Sequence, residues 1–140
     1  SKIVEYHGKG QVFISDKPTL YRDLSQLVGS ATIGLGLYED QGINTRHIGA
    51  SSGKINAFLK LGIPCIVSSY EGMKWIEDGG AGLCISHPTQ VLNAAKKILK
   101  DFQNYQANAV SLFENRLNFD KAFDPIVRMI ENKIDKTNMR

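Results

Sequence analysis

Residues 52–85, SGKINAFLKLGIPCIVSSYEGMKWIEDGGAGLCI, decide how this chain is read. Ile55, Phe58, Leu59 and Leu61 recur at helical spacing, with Ser51 or Ser52 placed to cap the helix start. Gly62 stands at its C-terminal stop and Pro64 just beyond. Residues 65–67 are a short apolar strand. Residues 72–77 make one or two helical turns, which Gly79 and Gly80 break. Residues 82–85 are another short strand.

The same alternation extends outward. Upstream, residues 11–15 (QVFIS) have strand character. Asp16, Lys17, Pro18 and Thr19 form a turn with proline near a helix start. Residues 19–28 carry Leu20, Leu24, Leu27 and Val28 at helical spacing, ended by Gly29 and Ser30. Residues 31–37 (ATIGLGL) are a continuous apolar run, expected of a strand covered on both faces. Residues 38–49 are polar and predict a long loop. Downstream, Pro88 opens a helix with Val91, Leu92, Ala95, Ile98 and Leu99 on one face. Residues 101–134 are helical in two or three pieces, broken near Asn118–Phe119 and at Pro125. Residues 136–140 are expected to fray. Short apolar strands alternating with helices predict an α/β fold with a parallel sheet flanked by helices, closed by C-terminal helices. Ligands of such sheets bind where loops leave the carboxyl ends of the strands.

Length and composition bound the function. The 140 residues suffice for one domain with a real core. No apolar run approaches the length of a membrane span. A net charge of +3 suits an anionic small ligand or a membrane surface and is too scattered to indicate nucleic acid. Cys65 and Cys84 sit in apolar runs with no ligand at metal spacing and read as buried hydrophobes in a reducing compartment. His7, His47 and His87 have no partner at helical spacing, so none is nominated as ligand or base.

The chemistry concentrates at Gly49-Ala50-Ser51-Ser52-Gly53-Lys54. Small residues let a ligand approach the backbone. First-turn N–H groups and the helix dipole favour an anion, and serine hydroxyls and the Lys54 ammonium add donors. The segment reads either as a phosphate or diphosphate site or as an ordinary serine-capped helix with a solvated lysine. It is not a Walker A loop. Three residues separate Gly49 from Gly53 where that motif needs four, and Ile55 replaces the metal-binding hydroxyl.

The order of these features resembles the C-terminal domain of GT-B glycosyltransferases, especially the large group-1 family. The matching features are Ser52-Gly53-Lys54, the helix to Leu61, Gly62-Ile63-Pro64-Cys65-Ile66, Glu71-Gly72 and Gly80-Ala81-Gly82. Residues 24–38 resemble the helix and strand before the family's donor loop, and Phe113, Asn118 and Phe119 resemble its closing helices. The resemblance covers nearly the whole chain and implies a Rossmann-like donor-binding half. Ser52, Gly53 and Lys54 would meet the donor diphosphate, with Ser51 one position further out and Lys54 as the catalytic group. Ile14, Ser15 and Asp16 would meet the nucleobase. Tyr38 would line the sugar pocket, unless it is a surface aromatic. Glu71 and Gly72 would lie by the sugar, unless Glu71 is a solvated carboxylate.

The resemblance further implies transfer of a sugar from a nucleotide-diphosphate sugar to a saccharide or lipid-linked acceptor. It places the parent protein in the cytoplasm, with peripheral association at the inner membrane face. No metal or other cofactor is implied, because there is no Asp-x-Asp and Lys54 and the helix dipole balance the diphosphate charge. The partners are the nucleotide sugar, the acceptor and an N-terminal acceptor-binding domain. That domain and the first strand of this one are not in the sequence, so a donor-side fragment inactive alone is expected. One departure stands out. Two glutamates eight positions apart mark many retaining members, and alignment puts Gly49 and Ala57 there, so the ribose-binding glutamate is missing unless Asn56 or a residue from the loop substitutes. Two alternatives stay open: a nucleotide-sugar epimerase sharing this half-fold, and a non-catalytic scaffold. A receiver-like domain would need an acidic cluster after its first strand and an Asp ending the third, and the chain has no such acidic pair at a strand end.

Overall fold

The computed structural model describes residues 18–138. The predicted strand at residues 11–15 and the candidates Ile14, Ser15 and Asp16 lie outside them. In chain order the elements are α1 (Tyr21–Gly29), β1 (Gly34–Gly36), α2 (Ile43–Arg46), a 3-10 turn (Gly49–Ser51) and α3 (Gly53–Lys60). There follow β2 (Cys65–Ser68), a 3-10 turn (Glu71–Met73), α4 (Lys74–Asp78), β3 (Gly82–Ile85) and a 3-10 turn (Pro88–Gln90). Helices α5 (Val91–Lys100), α6 (Phe102–Arg116) and α7 (Phe119–Asn138) complete the chain.

The three strands form one parallel sheet in the order β1-β2-β3, with Cys65 opposite Gly34 on one side and Gly82 on the other. The central strand is buried at every position, which explains its unbroken apolar sequence. Alternation divides its side chains between two cores. Cys65 and Val67 join Ile55 and Leu59 of α3, Trp75 and Ile76 of α4 and Ala109 of α6. Ile66 joins Leu83, Ile85 and, from α5, Ala94 and Ile98. The architecture is therefore α/β, with a parallel sheet flanked by helices. Among the described residues no helix is long and apolar enough to cross a membrane.

Two glycines explain how helices deliver strands into this sheet. Gly62 (φ 68°) follows α3 and Gly80 (φ 64°) follows α4, both left-handed. Gly62 N–H donates to Leu59 O (3.1 Å) and Ile63 N–H to Phe58 O (2.9 Å). Gly80 N–H donates to Glu77 O and Ala81 N–H to Ile76 O, both at 2.9 Å. Each pair is a Schellman close, which satisfies the last carbonyls and reverses the chain. Cys65 then starts β2 two residues after Ile63, its N–H bonded to Ala81 O at 3.1 Å.

Several expectations are corrected. The apolar run 31–37 pairs only over Gly34–Gly36, because its partner strand begins at Cys65 and a strand ends where its ladder ends. The loop at 38–49 contains α2 and meets the 3-10 turn at Gly49. Asp40 organises it, accepting from Gly42 N–H (3.0 Å) and from Arg46 Nη2 (2.7 Å). Arg46 holds the exposed Asp40 carboxyl below its ordinary pKa, first through that hydrogen bond. On α5, Leu92 and Leu99 are exposed, while Ala94 and Ile98 are buried. Val91, Ala95 and Ile98 of the predicted face do pack on the sheet, with Ala94 in place of the two leucines, a small residue that lets the helix approach. Pro125 does not break α7. It removes one N–H, but its φ is already helical, and the helix is solvent-facing, so water can serve the orphaned carbonyl. Helix α7 extends through Asn138.

Candidate functional site

Ser52 rather than Ser51 caps α3. Its backbone is extended and its Oγ accepts from Ile55 N–H at 3.4 Å. Ser51 instead turns back on the loop, its hydroxyl donating to Ile48 O at 2.9 Å. Gly53 and Lys54 are exposed at the first turn, whose leading N–H groups have no intrahelical acceptor. Ser52 is 5% exposed, so its hydroxyl sits beneath this surface. Asn56, the proposed substitute for an acidic residue, donates through Nδ2 to Ala50 O (3.1 Å). Its buried Oδ1 has no hydrogen-bond partner among the described residues.

A cleft of ≈ 360 Å³ lies at the carboxyl ends of all three strands. Leu37, Tyr38 and Glu39 follow β1, Ser69 and Tyr70 follow Ser68 of β2, and Ser86, His87 and Pro88 follow Ile85 of β3. The β3 wall is stiffened by Gln90, whose Oε1 accepts from the N–H groups of Ser86 (2.9 Å) and His87 (3.0 Å). His87 Nδ1 lies 2.8 Å from Thr89 Oγ1.

Tyr38 connects this cleft to α3. Its N–H donates to Ser68 Oγ (2.8 Å), and its carbonyl accepts from Ser68 Oγ (3.1 Å) and Tyr70 OH (2.9 Å). Its own hydroxyl lies 2.8 Å from Ser52 Oγ. Lys54 Nζ stands 4.8 Å from its ring centroid. One side chain thus joins a cleft of mixed apolar and hydroxyl-bearing residues to a helix start carrying an ammonium group.

The remaining candidates fall elsewhere. Glu71 pairs with Lys74 at 2.8 Å, both side chains exposed, and that hydrogen bond holds the carboxyl below its usual pKa. Neither Glu71 nor Gly72 lines the cleft. Gly72 packs against the loop backbone, where a side chain would meet Arg46 O and His47 Cα. Its carbonyl accepts from Trp75 Nε1 at 2.8 Å. Gly49 is buried, and a side chain there would run into the Gly72 carbonyl, so this backbone path has no room for an acidic residue at 49. Ala57 faces α1 across a separate cleft. Cys65, in the core beneath Lys54, has its thiol pushed up to about 12 by burial, and Cys84 to about 11 for the same reason. Both are free thiols. Among the described residues no group of His, Cys, Asp and Glu could hold a metal ion.

Sequence reasoning missed Ser68, Ser69, Tyr70, Ser86 and His87. Their signal was positional, since each ends or follows a predicted strand at the sheet edge where ligands bind. No family model, curated protein or solved structure matches the chain.

Proposed function

We propose that this chain is the donor-side half of a GT-B glycosyltransferase, binding a nucleotide-diphosphate sugar. A separate acceptor-binding domain would present a saccharide or lipid-linked acceptor across the open side of the cleft. One observation supports the reading above all: the α3 start, with Gly53, Lys54 and the Ser52 cap, is tied through Tyr38 to a cleft at the strand ends whose apolar walls carry serine and tyrosine hydroxyls. A ligand with an anionic centre and a hydroxyl-rich body matches both parts.

In this reading the diphosphate lies at the α3 start. As the glycosidic bond breaks, negative charge grows on the leaving diphosphate. The Lys54 ammonium and the first-turn N–H groups are aimed at that charge before it develops, which is where electrostatic catalysis is strongest. The cleft hydroxyls of Ser69 and Ser86 would orient polar groups of the donor.

The absence of an acidic side chain at Gly49 and Ala57 favours a second reading, a relative of these enzymes that binds a nucleotide sugar without transferring it. The steric block at Gly49 makes this a property of the loop's path rather than of one substitution.

Titration of the 140-residue chain with uridine, guanosine and adenosine diphosphates, followed by backbone amide shifts, tests the proposal. One nucleotide should shift Tyr38, Gly53, Lys54, Ser69 and Ser86 selectively, and Lys54→Ala should weaken it at least tenfold, about the value of a charge-assisted hydrogen bond. Silence of these amides toward all three would sink both readings.

A further inference from the structure

Resting on that donor-site reading, we infer that Tyr38, besides lining the cleft, is a positioning residue that sets Lys54 and Ser52 for the anion. The backbone of Tyr38 is held by three hydrogen bonds from the β2 end, two involving Ser68 and one from Tyr70. The ring is therefore fixed at its base. At its tip the hydroxyl is engaged by Ser52 at 2.8 Å. A ring held at both ends is a fixed platform.

What stands on that platform is otherwise the most mobile donor of the site. Lys54 is exposed, and a lysine ammonium on a flexible stem loses considerable rotamer freedom when it must hold one place. Its Nζ lies 4.8 Å from the Tyr38 ring centroid, within the range where an aromatic face attracts a cation. The ring thus keeps the ammonium near the α3 start before any ligand arrives. The hydroxyl does the second task. Ser52 Oγ already accepts from Ile55 N–H, and when Tyr38 donates to it as well, the serine proton is left to donate to a ligand. The Tyr38 hydroxyl and the Tyr38 ring therefore act through different groups, and this makes their contributions separable.

The experiment is a titration of the 140-residue chain with inorganic pyrophosphate, comparing wild type, Tyr38→Phe and Tyr38→Leu, each with Lys54 and with Lys54→Met. Thermal melts accompany each variant. Tyr38→Phe removes the Ser52 contact and keeps the ring, and should weaken pyrophosphate about fivefold. Tyr38→Leu should weaken it by about a further threefold, the ring's share. In the Lys54→Met background that phenylalanine-to-leucine difference should vanish, because the ring then has no cation to hold. A ring that merely supported the fold would keep the same difference with or without Lys54, and that result overturns the inference while leaving the donor site standing. Failure of wild type to bind pyrophosphate overturns both. A readout needing no variant is the Lys54 ε-methylene proton resonance, which the ring should shift upfield in the native chain. Its appearance at an ordinary position would also overturn the inference.

Discussion

Helices α3 and α7 carry the same kind of sequence and have opposite fates. In α3, eight residues long, Ile55 and Leu59 are fully buried and Phe58 is half-buried against β1. In α7, twenty residues long, Phe119, Phe123, Ile126, Val127, Ile130 and Ile134 recur at three- and four-residue steps, yet all are at least 37% exposed. Phe119 and Phe123 stack on each other, with ring centroids 5.1 Å apart. The difference lies in what each helix leads to. The start of α3 is capped by Ser52 and its end is closed by Gly62, so both its neighbours are placed over the sheet. The start of α7 is also capped, Asn118 Oδ1 accepting Lys121 N–H (3.3 Å), and it is joined to α6, through Asn118 Nδ2 donating to Glu114 Oε2 (3.0 Å) and the Glu114–Lys121 ion pair. An amphipathic stripe states that a helix can bury a face. The elements its flanking chain reaches decide against what.

This contrast can be broken by measurement, the largest effect first. Ile55→Ala removes a fully buried side chain between α3 and the sheet, and should lower unfolding stability by about 4 kcal/mol in urea titration. A loss under about 1 kcal/mol would mean that α3 is not part of the core. The second effect uses the buried thiol opposite α3. Burial raises Cys65 in the folded chain to about 12, above its ordinary value of 9.0. The unfolded thiol therefore ionises first, the unfolded state binds fewer protons as pH rises, and stability is lost between those two values. The loss should reach roughly 2 kcal/mol by about pH 10.5, and Cys65→Ala should flatten that part of the pH profile. The smallest effect is expected on α7. Ile126→Ala should change stability by under about 0.5 kcal/mol, because 45% of that side chain is already in water. A loss of 2 kcal/mol or more would show that α7 is covered in solution and that its resemblance to α3 goes deeper than sequence.

The same logic separates what could be read early from what could not. Helix α3, its stop at Gly62 and the strands at Cys65 and Gly82 were legible because each rests on nearby residues: a cap, a glycine at positive φ, an apolar run. The face of α5 was not, since Ala94 gives a weaker apolar signal than Leu92 or Leu99, and only packing against Ile66 and Leu83 selects the small side chain. Pro125 was misread for a related reason. Its local effect is adverse, but a solvent-facing helix has water to replace the lost donor.

At the candidate site the division is sharper. Serine, glycine and lysine before an apolar helical pattern already specify a helix start suited to an anion, because capping and dipole act within one turn. That Ser52 and not Ser51 is the cap, that Gly49 lies against the Gly72 carbonyl and Gly72 against Arg46 and His47, and that Tyr38 reaches Ser52 and Lys54 follow only from the folded chain. The last two depend on groups 14 to 32 residues apart, such as Tyr38 with Ser52, Ser68 and Tyr70. Sequence order holds short-range chemistry directly. It holds contacts at that distance only through the parallel register, which the hydrogen-bond ladder between β1 and β2 sets.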